Sequence, residues 1–217
     1  MHLYLIRHGQ SYVNLPDWTP ETRAGLDAGL TERGHNQAKA LAAWLPAHLP
    51  QIDALYASTM QRTRETAQYV SDAYGHDIRW DDRIREVGNN YRDGSPFPSH
   101  ALPTAYSNVP AANNPFHLIT PGEPDGESFS HFRVRVGEFL YEMIEKHAEE
   151  TIVVVMHGGV LNVMFDNIFN VGLQRQVDVW EENTGITHFE RQTEIKYARW
   201  RLYYMGKTEH LLELKDA

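Results

Sequence analysis

At 217 residues, with 41% apolar and 23% charged side chains, the chain has the composition of a globular protein able to bury a substantial core. The formal net charge of −9 sets its bulk electrostatics against nucleic acid and anionic membrane surfaces, so a site for an anionic ligand must supply its own local positive pocket. The absence of cysteine excludes disulfides, thiolate nucleophiles and thiolate-held metals.

Leu3 to Ile6 is a short apolar run that reads as a buried strand, with polarity returning at Arg7. The start lacks the basic residues and long apolar run of a secretory signal, and no stretch reaches the roughly 18 apolar residues of a membrane span. The expected location is the cytoplasm, with neither membrane nor nucleic acid as a partner. Thr31 is placed to cap a helix carrying Ala38, Leu41, Ala42 and Leu45, closed by Pro46 and Pro50. Ile52 to Ala57 reads as a second strand. From Met60 to Tyr74, residues Thr63, Ala67, Val70 and Tyr74 recur at helical spacing, and Gly75 supplies the stop.

The stretch from Gly88 to Gly126 is rich in Pro, Asn, Ser and Gly. A long irregular segment inside a compact domain reads as an inserted lid over an active site. Beyond it, Phe129, Phe132, Val136, Phe139, Leu140 and Met143 form one helical stripe. Thr151 to Met156 is the strongest strand candidate, with consecutive β-branched residues, and a helix follows over about Val160 to Phe169. Gly185 to Arg191 and Lys196 to Met205 read as strands of an edge meander. Strands alternating with helices predict an α/β fold in one domain over residues 1–217. The expected form is a three-layer sandwich whose mainly parallel central sheet is flanked by helices.

Candidate chemistry collects at strand ends. The first strand runs into Arg7-His8-Gly9-Gln10-Ser11, with Asn14 beyond, and the strongest strand runs into His157-Gly158-Gly159. In open α/β sheets ligands gather at the carboxyl ends of strands, and the glycines allow close backbone approach. Between them, Tyr56 to Ala67 carries Arg62 on the first turn of a helix. Free N–H groups and the dipole there favour an anion, and a guanidinium fork matches phosphate oxygens.

These segments resemble the histidine phosphatase superfamily, the phosphoglycerate mutase-like group of mutases and broad-specificity phosphatases. Its Arg-His-Gly signature is matched by Arg7-His8-Gly9, and the hydroxyl residue and Asn that follow by Ser11 and Asn14. Leu30-Thr31 with Gly34, Gln37 and Ala38 resembles a second block, and Ser58 to Arg62 with Thr66-Ala67 a third. Glu127-Ser128, His157-Gly158, Asn183-Thr184-Gly185 and His210-Leu211 resemble later ones, all in the family's order.

The resemblance implies a small phosphorylated substrate attacked by neutral His8, with Arg7, Arg62, His157 and Asn14 around the phosphoryl oxygens. Backbone groups near Gly9 and Gly158 contribute, and Ser11 either contacts substrate or caps its loop. A cationic wall should lower the pKa of His8. The general acid implied is Glu86, with Asp93 as its rival; Gly158 after the second histidine excludes the acid-phosphatase arrangement. No metal or cofactor is expected, because the 12 histidines show no close ligand spacing. Ser58 and Glu127 are expected to hold the arginines and His8 in place, and His117, His131 and His147 to lie at the surface. A phosphatase is expected rather than a mutase, since the Glu-Arg-His-Tyr-Gly block of longer mutases is absent after Glu86. The remaining alternative is a catalytically silent binding module; the oligomeric state stays open.

Overall fold

The β-branched run at residues 151–156 lies at the centre of a six-stranded mixed sheet. The computed structural model describes residues 1–18, 27–87, 127–172, 175, 177–192, 199–212 and 214. Its strands are β1 (His2–Arg7), β2 (Ala54–Ser58), β3 (Ile78–Asp81), β4 (Thr151–Met156), β5 (Ile186–Gln192) and β6 (Arg199–Lys207). Their order across the sheet is β3-β2-β4-β1-β5-β6. The first four run parallel, and β5 and β6 add antiparallel at one edge, as a meander. The helices are α1 (Glu32–His48), α2 (Gln61–Tyr74), α3 (Phe129–Lys146) and α4 (Gly158–Ile168).

Alternation along β4 explains the layers. Ile152, Val154 and Met156 face a core built with Phe132, Val136, Phe139 and Met143 of α3 and Val160, Leu161 and Met164 of α4. Val153 and Val155 face the opposite core, with Leu41 and Leu45 of α1 and Ala67 and Val70 of α2. A strand stretch buried on both faces must be apolar at every position, and Ile152 to Met156 is. The result is a three-layer α/β sandwich. Among the described residues no helix is long and apolar enough to cross a membrane.

Local signals act where the sequence places them. Thr31 caps α1 by accepting from Gly34 N at 3.0 Å. Gly75 ends α2 in the left-handed conformation, φ +68°, which costs a residue without Cβ little. Two expectations are corrected. Pro46 does not close α1, which continues to His48: Leu45 and Leu49 are both buried, and Leu49 N still donates to Leu45 O at 2.7 Å. His147 is not at the surface. It is buried between Tyr56 Oη, 2.9 Å from Nε2, and Glu150 Oε2, 2.5 Å from Nδ1. His131 is exposed, as expected. His117, Asp93 and the whole segment 88–126 read as a lid lie outside the described residues.

Candidate active site

Three β-to-α turns meet at one end of the sheet. β1 and β4 pair in parallel with Arg7 opposite Met156, so the next residue of each strand, His8 and His157, leaves the sheet side by side. Their ring centroids are 5.2 Å apart. β2 flanks β4 on its other side and ends at Ser58, and the turn through Thr59 and Met60 delivers Arg62 on the first turn of α2. The carboxyl end of β3 leads through a 3-10 turn at Asp82–Ile84 to Glu86. Arg7, His8, Arg62, Glu86 and His157 are thereby gathered from four separate segments.

The hydrogen bonds assign the histidine tautomers. His8 Nδ1 lies 2.7 Å from the carbonyl oxygen of Gly9, which can only accept, so the ring proton sits on Nδ1. Nε2 then carries a lone pair, toward which Arg62 Nε donates at 3.1 Å. At His157, Nε2 is 2.9 Å from Ser58 Oγ, and that hydroxyl accepts from Met60 N at 3.4 Å. Among the described residues Ser58 Oγ has no other acceptor for its proton, so it donates to Nε2 and leaves the His157 proton on Nδ1.

Three buried polar atoms here have no partner among the described residues: Arg7 Nε, Arg62 Nη1 and His157 Nδ1. Neither Arg7 nor Arg62 forms an ion pair with a carboxylate among the described residues. Arg7 Nη1 instead donates to the carbonyl oxygen of Glu181, and Arg62 Nη2 points at Met60 Sδ. Cations removed from water without a counter-ion are costly, and an arriving anion would offset that cost. Both histidines are held well below the ordinary imidazole pKa, first by burial and then by Arg62, with Arg7 adding to the effect at His8. The cationic wall inferred from sequence is therefore present, but burial is the larger cause.

Of the two glycines after His157, Gly159 makes room. A Cβ on Gly159 would fall 2.1 Å from Glu86 Oε1, while one on Gly158 would sit 3.8 Å from Arg7 Nε. Glu86 uses that space: Oε2 accepts from Gly159 N at 3.1 Å, at the N-terminus of α4, and Oε1 accepts from Val87 N at 2.9 Å. Gly9 has a packing role. Its N–H donates to Thr66 Oγ1 at 3.0 Å, and a Cβ there would come within 2.6 Å of Gly34 O. Ser11 is fully buried and caps its own turn, its N–H donating to Asn14 Oδ1 at 3.0 Å. Asn14 is exposed beside Asn183, whose Nδ2 donates to His8 O at 3.0 Å. Thr184, φ +59°, donates its N–H to Arg7 O at 3.0 Å, and its hydroxyl is 2.9 Å from His210 Nε2. The Asn183-Thr184 and His210 blocks thus brace the loop that carries His8.

Ser58 holds His157, whereas Glu127 holds Arg135 on α3 rather than the arginines of the pocket or His8. Sequence reasoning missed Arg135 and Glu181. Glu181 lies behind Arg7, its Oε1 accepting from Thr187 Oγ1 at 2.7 Å and Gly206 N at 3.1 Å. Among the described residues, no three His, Asp or Glu side chains converge as a metal site.

Buried titratable groups make stability depend on pH. His8, His157, His188 and His210 all have folded pKa values below 6.5, about 4 for His188 and His210. As pH falls, the unfolded chain protonates first. Their contribution is complete above 6.5 and is lost as pH falls from there toward the folded values. Glu181, raised by burial from 4.5 to about 7, opposes them: its contribution is complete below 4.5 and is lost as pH rises through 7. Asp166, raised above 3.8 by burial, acts in the same sense as Glu181, and four imidazoles outweigh these two carboxyls, so Tm followed by circular dichroism should drop between pH 6.5 and 4.5. A level or rising Tm would contradict this.

Comparison with known proteins fits the geometry. The model of the histidine phosphatase superfamily (branch 1) matches residues 3–202. A Hydrogenobacter thermophilus protein, provisionally named phosphoserine phosphatase 2, is 29% identical over 212 residues, 98% of each chain. A 2,3-bisphosphoglycerate-dependent phosphoglycerate mutase from Brucella ovis is 30% identical over 200 residues, covering 85% of this chain and 88% of the mutase. Among solved structures, a phosphoserine phosphatase variant from Entamoeba histolytica in complex with phosphoserine superposes with a TM-score of 0.71 at 22% identity. That match covers 97% of this chain and 99% of the other and bears on the fold.

Proposed function

The chain belongs to branch 1 of the histidine phosphatase superfamily and is a phosphatase of that superfamily, and we propose that it hydrolyses small phosphomonoesters through a phosphohistidine on His8, without a metal. The observation that carries this reading is the neutral His8, with its Nε2 lone pair turned toward an arginine that lacks a counter-ion among the described residues. Phosphoserine and 3-phosphoglycerate head the substrate panel, because a relative is named for the first and a phosphoserine phosphatase of the same fold was solved in complex with each.

A phosphoryl dianion satisfies the unpartnered atoms of Arg7, Arg62 and His157. Preorganised donors of this kind are usually the largest catalytic term. As its oxygens take over the donors of Arg62, His8 Nε2 is freed to attack phosphorus in line. The P–N bond forms, the P–O ester bond breaks, and Glu86 gives the leaving oxygen its proton. Water then attacks the phosphohistidine, Glu86 takes back a proton, phosphate leaves and His8 returns neutral.

The mutase reading shares the first half of this scheme and has a Brucella relative behind it. It differs in whether water or a bound product takes the phosphoryl group. Against it stands Val87-Gly88-Asn89-Asn90 where the longer mutases carry Arg-His-Tyr-Gly. A rapid-quench reaction with 32P-labelled ester, run with and without EDTA, separates the readings. The expected result is an acid-labile, base-stable protein adduct followed by free phosphate, unchanged by EDTA. An adduct that persists until product is added back would favour the mutase. Turnover with no adduct, or loss to EDTA restored by a divalent ion, would defeat the scheme.

A further inference from the structure

Arg135, on α3, touches none of the reacting groups, yet every one of its five N–H groups is committed. Nε and Nη2 donate to the two oxygens of Glu127, at 2.5 and 2.9 Å. Nη1 donates to the carbonyl oxygens of Arg83 at 2.7 Å and Arg85 at 2.8 Å, and Nη2 to that of Glu86 at 3.1 Å. Arg135 is 9% exposed and Glu127 1%, and the guanidinium lies 4.6 Å above the Phe132 ring. Its supporting helix is fixed in the core by Phe132, Val136 and Phe139.

The three carbonyls it grips belong to one short stretch, Arg83 to Glu86, which carries the proposed acid and belongs to no strand or α-helix. Bidentate pairing with Glu127 orients the guanidinium plane, and the outward-facing N–H groups then fix the backbone of that stretch. Glu86 has one more anchor in the body, Gly159 N at 3.1 Å. Without the grip from behind, its carboxyl could swing on the chain that bears it.

We propose that Arg135 is a positioning residue that holds the main chain at residues 83–86 and so fixes the carboxyl of Glu86 beside the leaving-group oxygen. This rests on Glu86 as the general acid. A role confined to structure would change stability, and would slow all esters alike when activity suffered. A role in aiming the acid shows in leaving-group dependence, because nitrophenolate departs without a proton while an alkoxide needs one.

The test compares Arg135→Lys, Glu127→Gln and Glu86→Gln with wild type, using p-nitrophenyl phosphate and the best alkyl phosphate of the substrate panel. Lysine keeps a charge opposite Glu127 but lacks the planar fork. Arg135→Lys should lower kcat on the alkyl ester by about 10–100-fold, against less than about threefold on the nitrophenyl ester, with KM held for both. Glu127→Gln should show the same selectivity with a smaller loss, and it carries the test if Arg135→Lys does not fold. Equal losses on the two esters, or none in a folded variant, would overturn the proposal. The two readings fail differently: if Glu86→Gln is selective and the Arg135 and Glu127 variants are not, only the clamp is wrong. If Glu86→Gln is itself unselective, the acid is elsewhere and the clamp falls with it.

Discussion

Replacing His8 with alanine should lower kcat by at least about 10⁵-fold, the order of loss that follows removal of the attacking atom from an enzyme working through a covalent intermediate. The argument rests on roles that no neighbour can take over. Arg7 and Arg62 are cationic donors without lone pairs, and the unpartnered His157 nitrogen bears a proton. The nitrogen lone pair turned toward the anion pocket is that of His8 Nε2. The fold should survive, because His8 sits at the end of β1 and, among the described residues, contributes a side-chain bond only to Gly9 O and Arg62. Far-ultraviolet circular dichroism should match wild type. The variant should also keep its affinity for an inert tetrahedral anion such as tungstate, since its three donors remain. Residual turnover above about 1% of wild type would place the nucleophile elsewhere. Loss of tungstate binding with the fold intact would mean that the pocket depends on the imidazole.

Arg62→Met should separate activity from stability. Loss of one donor aimed at developing charge costs on the order of 10²–10³-fold in kcat. Arg62 is also charged and holds the His8 ring, so the upper end is expected. Removing its charge lifts one of the causes that depress His8, so the acid limb of the rate profile should move to higher pH. Burial, the leading cause, and Arg7 remain, so the limb should stay below 6.5. Stability should change in the opposite sense to activity. Arg62 is 4% exposed, has no carboxylate partner among the described residues and leaves Nη1 unsatisfied, so an apolar replacement relieves a buried charge. Tm should rise by roughly 2–4 °C for each kcal/mol gained in a chain of this size. A falling Tm would show that the cation is compensated by something the geometry does not reveal.

How much of this was legible in the sequence depends on whether a residue's partners are near it in the chain. Ile152 to Met156 shows because both faces of that stretch are buried, which demands apolar side chains throughout. Gly75 shows because it follows an apolar period, and His8 and His157 because each precedes a glycine at the end of an apolar run, with Arg7 adjoining the first. β3 was missed: Ile78-Arg79-Trp80-Asp81 is a four-residue strand with two exposed positions, held by pairing with β2, and it carries no period. The buried state of His147 depends on Tyr56, 91 residues away. Arg135 looks like any polar position of an amphipathic helix, because its carbonyl partners are about 50 residues upstream. The Asn183-Thr184 block was visible as a pattern, but its support of the His8 loop was not.

The strand order carries a consequence for how the chain is made. β4 is the fourth strand in sequence, yet it is inserted between the first two in space. While a ribosome is extending the chain beyond β2, neither β1 nor β2 has its native neighbour on that side. Roughly 100 more residues must be added before β4 exists, about 5–20 s at ordinary synthesis rates. Through that interval the nascent protein exposes two strongly apolar strand edges, so its solubility then depends on what shields them during translation.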